Sequence, residues 1–302
     1  MPPTVTDLPR FFCADAARRR GDPLAGTAPF GLVWVLIEYP GGWPPNGFDG
    51  LDLEPGVKAL VFAAAQSVKA RILLIRRHGR RTLGGPRRWA VLRYAGSGAH
   101  HQQWGTWTRD EELAGIVAAL AAPGEPGLPP VVLVCAHGLH DTCCAVRGRP
   151  AARALSRLHP GLVWESTHVG GDRFAANVVV LPDGVYYGGL DAATAVTTVE
   201  EHLRDRVHAG HLRGYTDLVP AQQVAVGAAL QHFGPAGRHA WTVTATTRLD
   251  DHWHVRLTGR PPHPALLDVE VRSHRTPPRQ LTCRGLARSS TVVYEATGLR
   301  WD

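Results

Sequence analysis

Two stretches near the middle of the chain decide the fold: VVLVCAHGLHDTCCAVRG at residues 131–148 and WESTHVGGDRFAANVVVLP at residues 164–182. Each joins an apolar run, typical of a buried strand, to a segment rich in cysteine, histidine and aspartate. Residues 131–182 hold three of the five cysteines, four histidines and two aspartates. Thiolate, imidazole and carboxylate are the common metal-binding side chains of proteins. The pattern predicts strands that end in a metal site.

The overall composition narrows the class of protein. At 302 residues the chain is long enough for two or three structural units. Its net charge of +7 comes almost wholly from arginine, since Lys58 and Lys69 are the only lysines. An excess of positive charge favours binding to an acidic protein partner. The basic residues are scattered, and no helix-turn-helix, zinc-finger or RNA-binding signature is evident, so we do not expect nucleic-acid binding.

The chain gives no sign of export or of a membrane segment. Met1-Pro2-Pro3 lacks the charged start and apolar run of a secretory signal. The apolar runs are far shorter than a membrane helix. We therefore expect a cytoplasmic protein. Five cysteines in a reducing compartment argue against a disulfide framework and favour metal binding or redox chemistry.

The order of predicted elements indicates an α/β fold. The first part is read as a β-α-β-β-α half, with strands over residues 30–38, 71–75 and 88–94 and helices over 53–67 and 108–120. After a Gly/Pro-rich linker over residues 121–130, the central part repeats a similar order: strand 131–134, helix 150–158, strands 162–165, 177–181 and 184–187, and helix 193–206. Small folds such as thioredoxin use this order.

The C-terminal part differs in character. A helix is predicted over residues 219–233, followed by five short β-rich runs at 241–246, 253–257, 267–271, 280–283 and 291–295. We interpret this part as a small α+β appendage. The predicted domains are residues 1–122, 128–207 and 208–302.

Two cysteines form the first half of the candidate metal site. Cys135 follows a predicted strand directly, and Cys144 comes after eight intervening residues, a length that lets a loop bring two thiolates together. Structural zinc sites usually show short chelating pairs such as C-x-x-C. A wider pair is what a loop needs to pass around two irons. The residue types alone leave zinc and a two-iron cluster open.

The second half of the site has a histidine and an aspartate around a turn. His168 and Asp172 are separated by Val-Gly-Gly. Gly170 and Gly171 allow a left-handed turn, or a very close approach of the backbone to a bound group. Two ligand-type side chains beside such a turn are well placed to complete a metal site.

These segments resemble bacterial members of the sucrase/ferredoxin-like family, which are thioredoxin-like [2Fe–2S] ferredoxins. The matching text is VLVCAHGLHDTCCAVRG and WESTHVGGDRFAANVVVLPDGVYYG. FFCADAARRRGDPLAGTAP, WVLIEYPGGW and GYTDLVPAQQVAVGAAL extend the likeness, which weakens after residue 233. Despite the family's name, no well-placed carboxylate pair indicates sugar hydrolysis.

The resemblance implies a [2Fe–2S] cluster with Cys135, Cys144 and His168 as ligands. Eukaryotic members have a second histidine after the two glycines, where this chain has Asp172. We expect Asp172 to be the fourth ligand, which gives two cysteines, one histidine and one aspartate. Arg173 is expected to orient the Asp172 carboxylate or to offset the charge of the cluster.

Other ligand sets stay open. Cys143, His137 or His140 is an alternative fourth ligand, and a chain without a cluster is a further possibility. Cys13 and Cys283 lie far from the motif in sequence. We interpret both as structural thiols.

The function that follows from the resemblance is one-electron transfer rather than catalysis on a substrate. The expected partner is an acidic redox protein, either a ferredoxin or a flavoprotein reductase. Because imidazole replaces thiolate on one iron, reduction becomes easier, and an anionic Asp172 offsets part of that effect. Proton coupling at His168 is a related hypothesis. The alternatives are a zinc-stabilised binding module and a thioredoxin-like thiol oxidoreductase that uses Cys143-Cys144 or Cys135.

Overall fold

The computed structural model describes residues 11–79, 85–96 and 100–302. The N-terminal segment around Met1, on which the expectation about a signal sequence depends, lies outside these residues. The described chain begins with helix α1 (Cys13–Arg20), which ends at Gly21 in the left-handed conformation. This helix contacts the turn Asp172–Phe174 in the candidate site region.

After α1, the described residues of the N-terminal half form four strands and two further α-helices. In chain order these are β1 (Val33–Glu38), α2 (Pro55–Ser67), β2 (Arg71–Arg76), β3 (Arg87–Arg93), β4 (His101–Trp107) and α3 (Gly115–Ala121). Strand β4 was not predicted, because its sequence HQQWGTW is largely polar and shows little of the alternation that identifies a strand.

The central part repeats this element order after the short strand β5 (Glu125–Pro126). Its elements are β6 (Val131–Cys135), α4 (Thr142–Leu158), β7 (Val163–Ser166), β8 (Val178–Leu181), β9 (Val185–Tyr187), α5 (Ala192–Leu203) and β10 (Leu212–Tyr215). Helix α4 begins eight residues before the predicted start at residue 150. Pro150 lies inside the helix rather than in its first turn, and Asp141 is the N-cap.

The strands of both parts form one mixed sheet in the order β10-β9-β8-β6-β7-β2-β1-β3-β4-β5. In each half the first strand pairs parallel with the second and antiparallel with the third. The halves meet where β2 pairs antiparallel with β7, with Ile75 opposite Ser166 and Arg76 opposite Glu165. This architecture confirms the predicted α/β class and is consistent with a thioredoxin-like fold.

The strands that carry the candidate site are buried along their whole length. Every residue of β6 and of β8 is buried, which matches their almost continuous valine and leucine sequences. A strand covered on both faces has an apolar run of this kind, whereas a half-exposed strand alternates. The end of β6 is therefore held rigidly in the core.

The C-terminal part packs a helix on a second sheet. Helix α6 (Pro220–Phe233) precedes β11 (Trp241–Leu249), β12 (His252–Gly259), β13 (Leu266–Arg275) and β14 (Val292–Trp301), which form an antiparallel sheet in sequence order. The predicted strand at residues 280–283 is wrong: those residues lie in the connection between β13 and β14. The Pro277-Pro278 pair and the polar residues around it do not favour continuous strand pairing.

The predicted domain limits stay a prediction. The strands of the first two predicted domains share one sheet, and β10, beyond the predicted limit at residue 207, lies at the edge of that sheet. No helix in the described ranges is both long enough and apolar enough to span a bilayer.

Candidate metal centre

Cys135 occupies the end of a buried strand. It is the last residue of β6, 1% exposed, and its backbone N–H donates to the carbonyl of Asn177 at 3.1 Å. Hydrogen bonds to both neighbouring strands fix the backbone here, because Ala136 N–H donates to Ser166 at 3.0 Å. The thiol therefore has a well-defined position.

Cys144 comes from the first turn of α4 and not from a loop as predicted. The Asp141 carboxylate caps this helix by accepting the Cys143 N–H at 2.8 Å. Side chains one residue apart on a helix diverge by about 100°. Cys143 and Cys144 therefore point in different directions, although they are adjacent in sequence.

Gly148 lets α4 approach the end of β6. A Cβ atom at this position would lie 1.9 Å from the carbonyl oxygen of Cys135. Only a residue without a side chain permits this approach, since such a contact is far inside van der Waals distance. Gly148 lies four residues after Cys144, on the same face of the helix. The close helix–strand contact and the meeting of the two thiols thus depend on the same face of α4.

His168 and Asp172 come from the loop after β7. The loop turns through Gly170 and Gly171, whose φ angles are +97° and +81°. L-residues with a side chain rarely adopt these values. The tight turn brings His168 Nδ1 to 2.9 Å from Asp172 Oδ1.

A buried arginine that sequence reasoning missed fixes this loop. Arg213, on β10, is 1% exposed and donates to the carbonyl of Gly170 at 2.7 Å and to Asn177 Oδ1 at 2.9 Å. It also donates to Thr27 O at 2.6 Å and to Thr27 Oγ1 at 3.0 Å. A Cβ at Gly171 would lie 2.5 Å from this guanidinium. The only sequence signal was a charged residue inside the buried strand LRGY.

The four predicted ligands come together as one group, here called the Cys–His–Asp group: Cys135, Cys144, His168 and Asp172. Ligand atoms of Cys135, Cys144 and His168 all lie within 4.8 Å of one another. The Cys144 thiol donates to Asp172 Oδ1 at 3.2 Å. His140 also adjoins the group, because ligand atoms of His140, His168 and Asp172 lie within 4.8 Å of one another. These distances are short enough for the side chains to share a metal centre.

In the metal-free group the electrostatics favour charge on Cys135, His168 and Asp172, whereas Cys135 and burial raise the pKa of Cys144 and keep its thiol neutral. The adjacent Cys144 side chain lowers the pKa of Cys135 against the opposing effect of burial, and His168 and the N–H of Val169 act in the same direction. Burial disfavours a charged His168, yet hydrogen bonds with Asp172 and Cys135 raise its pKa to about 9. Burial likewise opposes ionisation of Asp172, but His168 holds its pKa below the usual value. In the absence of metal these charges stabilise one another.

The histidines form the solvent-facing side of the group. Both cysteines are buried, whereas the side chains of His168 and His140 are 24% and 37% exposed. Their rings stack with centroids 3.9 Å apart. They line a cavity of about 390 Å³ that also contacts Arg71 and Phe48. The histidine side is therefore the part of the group that solvent reaches.

Three other predicted residues lie elsewhere. Cys143 points away from the Cys–His–Asp group, toward Cys13 and Cys283. Arg173 Nε lies 3.7 Å from Asp22 Oδ2, and the contacts described for the chain do not join it to Asp172. His137 Nε2 lies 2.8 Å from the carbonyl of Pro44. Of the alternative fourth ligands, His140 is the one that adjoins the group.

A protein-family model described as sucrase/ferredoxin-like matches residues 26–214 of the chain. The chain belongs to the sucrase/ferredoxin-like family. The matched region contains strands β1 to β9, all of β10 except Tyr215, and the whole Cys–His–Asp group. A search of curated proteins and a search of solved structures gave no match. Membership in this family confirms the resemblance found in the sequence and, with the clustered ligand atoms, indicates metal binding.

Proposed function

We propose that the chain is an electron-transfer protein that carries one [2Fe–2S] cluster bound by Cys135, Cys144, His168 and Asp172. The observation that carries the proposal is the convergence of two thiols, an imidazole and a carboxylate in a member of a ferredoxin-like family. A bound cluster of this kind would accept and release one electron at a time.

The donor set fits such a cluster. Thiolates are the usual ligands of iron–sulfur clusters, and nitrogen ligands replace two of them in Rieske centres. Ligation requires deprotonated thiols: the lowered pKa of Cys135 favours this form, whereas Cys144, whose pKa is raised beside Cys135, would release its proton on binding the metal. Cys135 and Cys144 would bind one iron, while His168 and Asp172 would bind the other.

Charge around the group would influence the reduction potential. Asp172 adds a negative charge that a second histidine would not bring, and this lowers the potential relative to two histidines. Arg213 provides a buried positive charge close to the Gly170-Gly171 turn. Burial lowers the pKa of Arg213 to about 10, which still leaves it charged near neutral pH. It would partly offset the charge of the thiolates and of Asp172.

The exposed side of His168 suits contact with a redox partner. Electrons and protons would pass where the group is nearest to solvent, which is the histidine side. A net charge of +7 would favour transient binding of an acidic ferredoxin or flavoprotein reductase. We propose a cytoplasmic location, where such partners and free thiols are compatible.

The ligand assignment is tested by anaerobic purification of single variants and by their absorption spectra. Cys135→Ser and Cys144→Ser should lose the chromophore. Asp172→Ala should shift or bleach it, and Asp172→His should retain it at a higher potential. His137→Ala is the control, because its ring contacts the Pro44 carbonyl instead. An unchanged spectrum in Asp172→Ala, together with loss of the chromophore in His140→Ala, would overturn the assignment of the fourth ligand.

A further inference from the structure

Three distant segments bring a second set of ligands together. Cys13 begins α1, Cys143 lies in the first turn of α4, and Cys283 lies in the connection between β13 and β14. Asp141, the cap of α4, completes what is here called the second thiol cluster. Ligand atoms of these four residues all lie within 4.8 Å of one another. This arrangement is distinct from the Cys–His–Asp group, which uses neither Cys13 nor Cys283.

The spacing within this cluster fits a single ion. Cys143 Sγ lies 3.5 Å from Cys283 Sγ, which lies 3.6 Å from Cys13 Sγ. Cys13 Sγ lies 3.5 Å from Asp141 Oδ1. With zinc–sulfur bonds of about 2.3 Å, the sulfurs of a tetrahedral site lie about 3.8 Å apart. The thiols therefore need to move only a few tenths of an ångström to surround one ion.

Backbone N–H groups are already directed at the cluster. Ala14 N–H donates to Cys143 Sγ at 3.4 Å, and Cys13 N–H donates to Cys283 Sγ at 3.5 Å. The two oxygens of Asp141 accept the N–H groups of Cys143 and Cys283 at 2.8 and 2.7 Å. Donors that surround the ligands stabilise their negative charge and hold them in position. This is a second observation, independent of the distances between ligands.

The cluster is shielded from water. Cys13 and Cys143 are fully buried, Asp141 is 1% exposed, and Cys283 is partly exposed. Three thiolates and a carboxylate placed together in the interior are costly unless a cation or protons neutralise them. A divalent ion bound to all four would neutralise half of the charge of three thiolates and a carboxylate, and four protein ligands are the number found in a closed structural zinc site.

We propose that Cys13, Cys143, Cys283 and Asp141 form a structural zinc site. Zinc takes thiolate and carboxylate ligands in tetrahedral geometry and has no redox chemistry of its own. The bound ion would tie α1, the start of α4 and the β13–β14 connection together. Because Cys143 and Cys144 are adjacent, the zinc site would also hold the start of α4, from which the other metal centre takes Cys144.

The test is zinc analysis of the full chain expressed with zinc, combined with X-ray absorption at the zinc edge. The wild type should contain about one zinc per chain, with about three sulfur neighbours and one oxygen neighbour. Cys13→Ser and Cys283→Ser should each lower the zinc content at least about tenfold and keep the iron chromophore. Cys135→Ser should keep its zinc, and this outcome separates the site from the Cys–His–Asp group.

Cys283→Ser should keep the fold, because Cys283 lies in a loop and is partly exposed, so loss of zinc in this variant is not explained by unfolding. Retention of folded structure by Cys283→Ser is checked by circular dichroism. The proposal is overturned by a wild type without zinc. It is also overturned by equal zinc in wild type and Cys283→Ser, or by zinc that is lost only in Cys135→Ser. Iron in place of zinc at this cluster, or a wild-type mass that shows a disulfide among these cysteines, likewise contradicts it.

Discussion

Replacing Gly148 with alanine perturbs the contact that brings α4 against the end of β6. The new Cβ would lie 1.9 Å from the Cys135 carbonyl oxygen and 3.0 Å from its carbon. Ordinary contacts begin near 3.4 Å. The helix or the strand must therefore move by more than an ångström, and Cys144, one turn earlier on the same face, moves with the helix.

The cost of this substitution follows from the two opposing effects of alanine. Overpacking of a rigid interior costs roughly 1–3 kcal/mol. Alanine gains up to about 1 kcal/mol of helix propensity over glycine. Because both partners are backbone in buried elements, we expect a net loss of about 1–2 kcal/mol in the free energy of unfolding. We also expect lower iron content, since Cys135 and Cys144 separate.

Gly227→Ala in α6 is the matched control. A Cβ there would meet only the Cβ of Ala25, at 3.8 Å, an ordinary contact. This variant should gain up to about 1 kcal/mol and keep its metal content. Denaturant unfolding of metal-free protein and iron analysis of purified protein measure the two effects. If Gly148→Ala is as stable as Gly227→Ala and binds as much iron, the proposed packing constraint is wrong.

Two further predictions concern the charges around the site. Arg213→Met should lower the free energy of unfolding by at least about 2 kcal/mol, since the buried Asn177 Oδ1 and three partly buried acceptors lose their donor. Arg204→Met is the control, because the Arg204 side chain is 64% exposed in its ion pair with Glu201. This variant should change the free energy of unfolding by less than about 0.5 kcal/mol, and similar losses in the two variants would contradict this account. In metal-free protein the pKa of His168 is raised to about 9, so the stability it contributes is complete below about pH 6.5 and disappears as pH rises through 9. The shift corresponds to roughly 3 kcal/mol at most, shared between Asp172 and Cys135. Denaturation at pH 6 and pH 10 should therefore show a wild-type advantage over Asp172→Asn that shrinks at high pH, whereas a constant advantage would exclude this coupling.

The candidate ligands that the sequence predicts most directly are those next to predicted strands. Cys135, His168 and Asp172 stand beside apolar runs, and the end of a buried strand places a side chain reliably. The start of α4 was missed because Pro150 suggested a later first turn, although Asp141 offers a good cap. As a result Cys144 was assigned to a loop.

Other features depend on tertiary contacts that a single sequence does not reveal. Cys13 and Cys283 are 270 residues apart, and both were interpreted as isolated structural thiols. Only the packing of α1 and of the β13–β14 connection brings them to Cys143. Arg213 likewise reaches the Gly170-Gly171 turn through the pairing of β10 with β9, which periodicity does not encode.

The central claim, a [2Fe–2S] cluster in the Cys–His–Asp group, is tested most directly by iron and sulfide analysis with electron paramagnetic resonance of dithionite-reduced protein. The account predicts about two irons and two sulfides per chain, with a reduced-state signal that disappears in Cys135→Ser. A colourless protein without such a signal, whose Cys135→Ser variant loses a bound zinc ion, would contradict it.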